Sequence, residues 1–202
     1  SLLAKISGVI FGRGTDLSIQ YADSAIQLSQ KIKFASAEGK ALYYKGYAEF
    51  YQGESDKAVK DYLSALKIFQ RLNEIVWQGK VYQGLAFIAA DEGKFEVSTK
   101  YYLAALRLYE HAKDENGIAN TNLNIGVLYN DEGFPREAIQ YQKIAVDYYR
   151  KMNSKANLAN ALTRVGNSYW SLKSTDTALM YYDTALVLFQ QEKHKRGTAI
   201  VY

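Results

Sequence analysis

The chain has 202 residues, of which 48% are hydrophobic and 23% charged, with one proline and no cysteine. This composition excludes a disordered polymer, disulfides and thiolate metal sites, and the single proline favours almost continuous helix. The formal charge of +4 comes from basic residues mixed with 21 acidic ones, so no basic stripe is available for a nucleic acid backbone.

The apolar runs are all far shorter than the ~20 residues that span a bilayer. We therefore expect a soluble domain with no membrane insertion, in the cytoplasm or the periplasm according to the parent protein. The first twelve residues are apolar but have neither an initiator Met nor a basic lead, which favours a helix over a signal peptide.

A first helix is predicted over residues 15 to 33. Its side chains Tyr21, Ala25 and Ile26 stand 80 positions before Tyr101, Ala105 and Leu106. Residues 1–38 are therefore interpreted as a degenerate first repeat.

From residue 39 onward the same pattern recurs every 40 residues, which predicts repeats at 39–78, 79–118, 119–158 and 159–198. Small residues form two columns, and a third column is aromatic. The columns are Ala58, Ser98, Ala138 and Ala178; Ala65, Ala105, Ala145 and Ala185; and Phe69, Tyr109, Tyr149 and Phe189. A further tight column is Gly46, Ala86, Gly126 and Gly166.

Each repeat is predicted to hold two antiparallel helices, the first of about 14 residues and the second of about 17. Gly53, Gly93 and Gly133 follow the first helices, where glycine can take the left-handed conformation that ends a helix; Lys173 stands there in the fourth repeat. The acidic pairs before Gly93 and Gly133 lack the additional oxygen donors of a calcium site. Residues 199–202 begin a further repeat, so we expect the native array to continue.

The set Gly126, Tyr129, Gly133, Ala138, Tyr141 and Ala145, with its counterpart Gly166, Tyr169, Ala178, Tyr181, Tyr182 and Ala185, resembles the tetratricopeptide repeat. The resemblance covers residues 39–198 well and 15–38 moderately. It is to the long, 40-residue variety of kinesin light chain and bacterial signalling proteins. Lys45, Glu49 and Ala89 depart from the pattern, so the first full repeat is expected to pack more loosely.

This resemblance implies an all-α, right-handed superhelical solenoid of helix hairpins, with about four full repeats plus partial repeats at both ends, forming a single domain over residues 1–202. It also implies a concave groove, lined by the first helices, that binds a peptide or a partner helix. The groove positions are Lys40, Tyr43, Tyr44, Tyr47, Phe50, Tyr51, Lys80, Gln83, Phe87, Asn120, Asn124, Val127, Asn130, Asn160, Arg164, Asn167 and Trp170.

The amino-terminal groove positions are mostly aromatic and suit apolar side chains, whereas the carboxy-terminal ones are mostly amides that suit a peptide backbone. The alternative is that the tyrosines stack between helices and the asparagines are solvated. A carboxylate clamp of the kind found in some tetratricopeptide proteins is not expected, because only Asn124 and Arg164 match it and Gln83, Phe87 and Asn160 do not.

Catalytic chemistry finds no support in the sequence. His111 and His194 lie 83 residues apart without a plausible triad, and the motifs for zinc hydrolysis, phosphate cradling and a nucleophile elbow are missing. We therefore expect a non-enzyme with no catalytic residue, no metal site and no cofactor.

Three functions remain open. The first is a protein-binding or peptide-binding module, the sensory or scaffolding part of a larger bacterial signalling protein such as a histidine kinase or a helix-turn-helix regulator. The second is a phosphatase-like or anti-activator protein acting on a phosphorelay response regulator. The third is a structural array that self-associates through uncapped ends.

Overall fold

The computed structural model describes residues 15–192, and this range contains nine α-helices and no strand. They are α1 (Thr15–Lys31), α2 (Ala35–Tyr51), α3 (Ser55–Arg71), α4 (Ile75–Asp91), α5 (Phe95–Ala112), α6 (Glu115–Asp131), α7 (Pro135–Lys151), α8 (Lys155–Ser171) and α9 (Thr175–Gln191). The helix predicted over residues 15 to 33 is confirmed as α1. The predictions for residues 1–12, His194 and residues 199–202 lie outside the described range.

A left-handed residue ends each of the first eight helices, and these residues recur every 20 positions. They are Lys33, Gly53, Asn73, Gly93, Lys113, Gly133, Asn153 and Lys173, with φ between 50° and 87°. The residue that follows each of them closes the turn; for example, the Glu54 N–H donates to the Glu49 carbonyl at 2.9 Å. The left-handed role predicted for Gly53, Gly93 and Gly133 is confirmed.

The first helix of each repeat is longer than the sequence predicts. Helices α2, α4, α6 and α8 have 17 residues each, against the expected 14 or so, and they begin four residues before Gly39, Gly79, Ala119 and Ala159. The residues that precede α2 and α4, Phe34 and Glu74, form no side-chain cap and so give no signal of the early start. Before α6 a signal was present and was missed, since Asp114 caps the helix by accepting from the Gly117 N–H at 3.0 Å.

The chain forms two compact units, unit 1 (Ser1–Leu108) and unit 2 (Tyr109–Tyr202), with the division inside α5. In unit 1, one core cluster is built on Ala22, Ala25 and Ala41, and a second on Tyr62, Phe69, Val81, Leu85 and Ile88. The core of unit 2 is built on Tyr149, Leu162, Val165 and Phe189. The predicted small and aromatic columns are all buried, as expected of positions where helices pack together.

The tight column is confirmed by what a side chain would meet there. A Cβ on Gly126 would lie 2.5 Å from Gln142 Cγ and 2.8 Å from the Ala138 carbonyl oxygen. A Cβ on Gly166 would lie 2.5 Å from the Tyr182 ring. The two helices of these repeats thus approach each other too closely for any larger residue without a shift.

A bilayer-spanning helix is not found in the described part of the chain, where each helix is too short or too polar for that role.

Candidate functional site

In unit 1 the first helices α2 and α4 are joined by aromatic contacts at two places along their length. Tyr43 and Tyr44 of α2 meet Trp77 in the first turn of α4, with ring centroids 5.6 Å and 6.1 Å away. Two turns farther along, Phe50 meets Phe87 at 5.3 Å. Edge-to-face contacts of this kind fix the relative position of the two helices.

Tyr43 is part of the packing of unit 1 and is only half-exposed. Its ring lies 5.4 Å from that of Tyr62, and burial raises the pKa of the Tyr43 hydroxyl far above its ordinary value, with a smaller contribution from Tyr44. The stacking alternative therefore describes Tyr43 better than a groove position does.

Tyr47, Phe50, Tyr51 and Phe87 form a second ring cluster whose outer members face solvent. Tyr47 and Tyr51 lie 4.8 Å apart, and the Tyr47 hydroxyl donates to that of Tyr51 at 3.2 Å. Tyr51 is 58% exposed and Phe87 is 49% exposed. Large rings held by their neighbours offer contact area to a partner at little entropic cost.

Trp77 lies between the two lysines of these helices, and it was not among the predicted groove positions. The Lys80 Nζ lies 4.2 Å from the centre of the Trp77 ring and the Lys40 Nζ 5.3 Å, while Phe69 stacks on Trp77 at 5.5 Å. Lys40 also pairs with Glu74 at 3.9 Å. We call Lys40, Tyr44, Tyr47, Phe50, Tyr51, Trp77, Lys80 and Phe87 the aromatic surface; Gln83, also predicted, is half-buried on α4.

A usable signal for Trp77 was present in the sequence. The same position of the repeat holds Ala37, Gly117 and Asn157, all smaller residues. In unit 2 the space at Gly117 is filled by Tyr109, whose ring would lie 2.3 Å from a Cβ at Gly117. A tryptophan at a position where the other repeats have smaller residues indicates that the surface of this repeat differs from theirs.

In unit 2, two of the predicted asparagines are held by tyrosines of the second helices. The Tyr149 hydroxyl donates to Asn120 Oδ1 at 2.7 Å, and the Tyr182 hydroxyl donates to Asn167 Oδ1 at 2.8 Å. Burial, aided by Tyr148, raises the pKa of Tyr149 to about 12, and burial raises that of Tyr182, so both hydroxyls keep their protons at neutral pH. These two amide oxygens are therefore engaged within the protein.

The remaining predicted positions of unit 2 are less constrained. Asn130 Oδ1 is buried and has no hydrogen-bond donor, so it is an acceptor left open on α6. Asn124 and Val127 are half-buried on α6, whereas Asn160 and Arg164 are exposed on α8. Trp170 is 55% exposed. We call Asn124, Val127, Asn130, Asn160, Arg164 and Trp170 the amide surface.

Of the two histidines, His111 is exposed at the end of α5. Across residues 15–192, His, Asp and Glu side chains form no group of three suited to a metal ion.

Comparison with known proteins identifies the fold. No family model matches the chain, and no curated protein matches it. Among solved structures it is similar to aspartyl phosphate phosphatase F from Bacillus subtilis, with a TM-score of 0.82 and 16% identity over 91% of this chain and 48% of that one. It is also similar to the TPR-like repeats of a putative kinesin light chain from Podosopora anserina, with a TM-score of 0.71 and 9% identity over 95% and 94% of the two chains.

A third similar structure is the Rap conjugation gene regulator of plasmid pLS20 in complex with a Phr peptide, with a TM-score of 0.80 and 14% identity over 91% of this chain and 51% of that one. The chain thus spans about half the length of the phosphatase and of the Rap regulator. At these identities the comparisons establish the fold, and they confirm the predicted all-α, tetratricopeptide-like architecture.

Proposed function

We propose that the chain is a non-catalytic module that binds a peptide or a protein segment through the first helices of its repeats. The observation that carries this proposal is the aromatic surface, where α2 and α4 present exposed rings held in place by their neighbours and flanked by Lys40 and Lys80. A connected apolar surface of this kind on a helical array suits a partner's side chains. The similarity to a Rap regulator in complex with a peptide supports the same conclusion.

We further propose that the module is the sensory or scaffolding part of a larger bacterial signalling protein. The relevant support is that similar structures such as the Rap regulator are about twice as long as this chain. The identity of the domain that accompanies the array would distinguish a histidine kinase from a helix-turn-helix regulator.

Selection of a random phage-displayed peptide library on the full chain tests the binding proposal. Enriched peptides should bind the wild-type chain and lose at least about tenfold in affinity, or ~1.4 kcal/mol, when Tyr47 and Phe87 are both replaced by Ala. Replacement of Asn124 and Arg164 by Ala should weaken the binding of peptides that reach the amide surface.

The matched control replaces Leu179 and Met180 of α9 by Ala, since these side chains are about as exposed as Phe87, at 50% and 57%, but belong to a second helix. All variants should keep the wild-type circular dichroism spectrum. Failure to enrich any peptide, or enriched peptides whose affinity is the same for both test variants and the control, would refute binding through these surfaces.

A second candidate function is regulation of a phosphorelay, favoured by the similarity to aspartyl phosphate phosphatase F. Its test is to incubate the chain with phosphorylated response regulators and follow the aspartyl-phosphate label. Accelerated loss of label would support this role, and an unchanged half-life for every regulator tested would dispose of it.

A further inference from the structure

The first full repeat replaces a packing group of the later repeats by charged residues. In unit 2, Tyr129 stacks on Tyr141 at 5.3 Å, with an angle of 8° between the rings, and the next repeat has the same pair, Tyr169 on Tyr181, at 5.4 Å and 12°. Ile125 and Val165, four residues before Tyr129 and Tyr169, are buried. The equivalent residues of the first full repeat are Glu49 and Asp61 at the tyrosine positions and Lys45 at the aliphatic one.

These three residues form one ionic cluster together with Asp23 of α1. The Lys45 Nζ lies 2.9 Å from Asp23 Oδ1, 3.6 Å from Asp61 Oδ2 and 3.9 Å from Glu49 Oε1. Three carboxyl groups thus surround a single ammonium group. If all were ionised, the cluster would carry two uncompensated negative charges at the junction of α1, α2 and α3.

Glu49 is the least solvated member of the cluster. It is only 4% exposed, and its Oε2 is buried without a hydrogen-bond donor, whereas the buried Asp61 Oδ2 has the Lys45 Nζ 3.6 Å away. A buried carboxylate oxygen without a donor is costly, whereas a protonated carboxyl group can itself donate to a neighbouring oxygen. The donor-free Oε2 of Glu49 therefore indicates a place for a proton.

The electrostatic surroundings of Glu49 favour its neutral form. Burial, followed by repulsion from Asp61, raises the pKa of Glu49 to about 7 against the opposing effect of Lys45. Burial also raises the pKa of Asp61, although Lys45 counteracts it. The other charged groups that face Glu49 and Asp61 are Asp23 of α1, Lys45 of α2, Glu54 in the following turn, and Lys57 and Lys60 of α3.

We propose that Glu49 is protonated when unit 1 is folded and that loss of this proton loosens the packing of α1 and α3 on α2, so that the cluster acts as a pH-sensitive latch. Because the folded-state pKa of Glu49 lies above its ordinary value, the stabilisation is present in acid and is lost as the pH rises through about 7. The raised pKa of Asp61 acts in the same direction.

The latch is independent of the proposed binding function, although α2 also carries most of the aromatic surface. Its test requires no ligand. Failure of one proposal therefore leaves the other standing.

The experiment is thermal denaturation of the full chain at about pH 5.5 and about pH 8, combined with hydrogen exchange of peptides from α1, α2 and α3. The wild-type Tm should fall by about 5 °C at the higher pH, with faster exchange in these three helices. Glu49→Gln, which cannot ionise, should remove most of the fall. Glu137→Gln, a change at an exposed carboxyl group of α7, should retain the wild-type fall.

A second variant guards against the case in which Glu49→Gln fails to fold. Combining Lys45→Ile, Glu49→Tyr and Asp61→Tyr gives the first full repeat the packing group of the third, and this variant should fold and show no fall between the two pH values. The proposal would be overturned if Glu49→Gln or the triple variant showed the same fall in Tm as the wild type. It would also be overturned if hydrogen exchange in α1 to α3 of the wild type were the same at both pH values.

Discussion

Replacing Gly126 by Ala should destabilise unit 2, because the new Cβ would meet the backbone of the neighbouring helix. It would lie 2.8 Å from the Ala138 carbonyl oxygen, which no rotamer change can move, and 2.5 Å from Gln142 Cγ. Gln142 cannot easily yield either, since it is 1% exposed and its Oε1 accepts from the Ser168 hydroxyl at 3.0 Å.

Two opposing effects decide the size of this change. Overpacking in a filled core costs about 1–3 kcal/mol, and Ala in place of Gly within a helix contributes about 0.5–1 kcal/mol in the other direction. The net loss should be about 0.5–2 kcal/mol. Gly46 is the matched control, since it has the same place in α2 but its Cβ would lie 3.0 Å from the Ala58 carbonyl oxygen and 3.1 Å from Tyr62.

Contacts of that length require shifts of only a few tenths of an ångström, so Gly46→Ala should leave the stability within about 0.5 kcal/mol of the wild type. Urea denaturation followed by circular dichroism measures both variants, and hydrogen exchange of α6 and α7 places the loss in unit 2. A Gly126→Ala variant as stable as the wild type, or a Gly46→Ala variant that loses as much stability as Gly126→Ala, would contradict close helix packing at Gly126.

Four further substitutions test the turns and the core by the same urea denaturation. Gly93→Ala should lower the free energy of unfolding by about 1 kcal/mol, because the φ of residue 93 is 71°. Lys173→Gly should raise it by about 0.5 kcal/mol, because the φ of residue 173 is 61°. Changes of the opposite sign would contradict the left-handed turns. Tyr149→Phe should lose about 1 kcal/mol with its hydrogen bond to Asn120, and no loss would mean that this bond is not formed. Ala105→Leu, at a position with no exposure, should lose about 1–3 kcal/mol, and a neutral result would contradict close packing there.

The fold was predictable because a 40-residue period indicates which positions pack against each other. Ala58 and Ala65 are small because neighbouring backbones come close there, and Gly53 recurs because the chain reverses there. The left-handed turns after the second helices were harder to foresee. Asn73 tolerates this conformation better than most residues, but nothing about Lys33 announces it.

For the candidate site, the sequence could predict only which residues lie on which face of a helix. Periodicity places Tyr51 and Phe87 on first helices, but it does not reveal that Tyr149 holds Asn120 from 29 residues away. Trp77 was missed because the repeat was counted from Gly79, four residues after α4 begins. Contacts between side chains of different helices depend on packing, which the spacing of one segment does not specify.

The 20-residue turn spacing limits how this chain can change in length. The residue that closes one helix also opens the next, so no loop is available to absorb an added residue. A single insertion within a helix would rotate everything after it by about 100° relative to what precedes it, which would carry buried alanines into solvent. Growth or shortening of such a molecule is consequently restricted to whole hairpins, as occurs when a gene segment is duplicated or deleted in register.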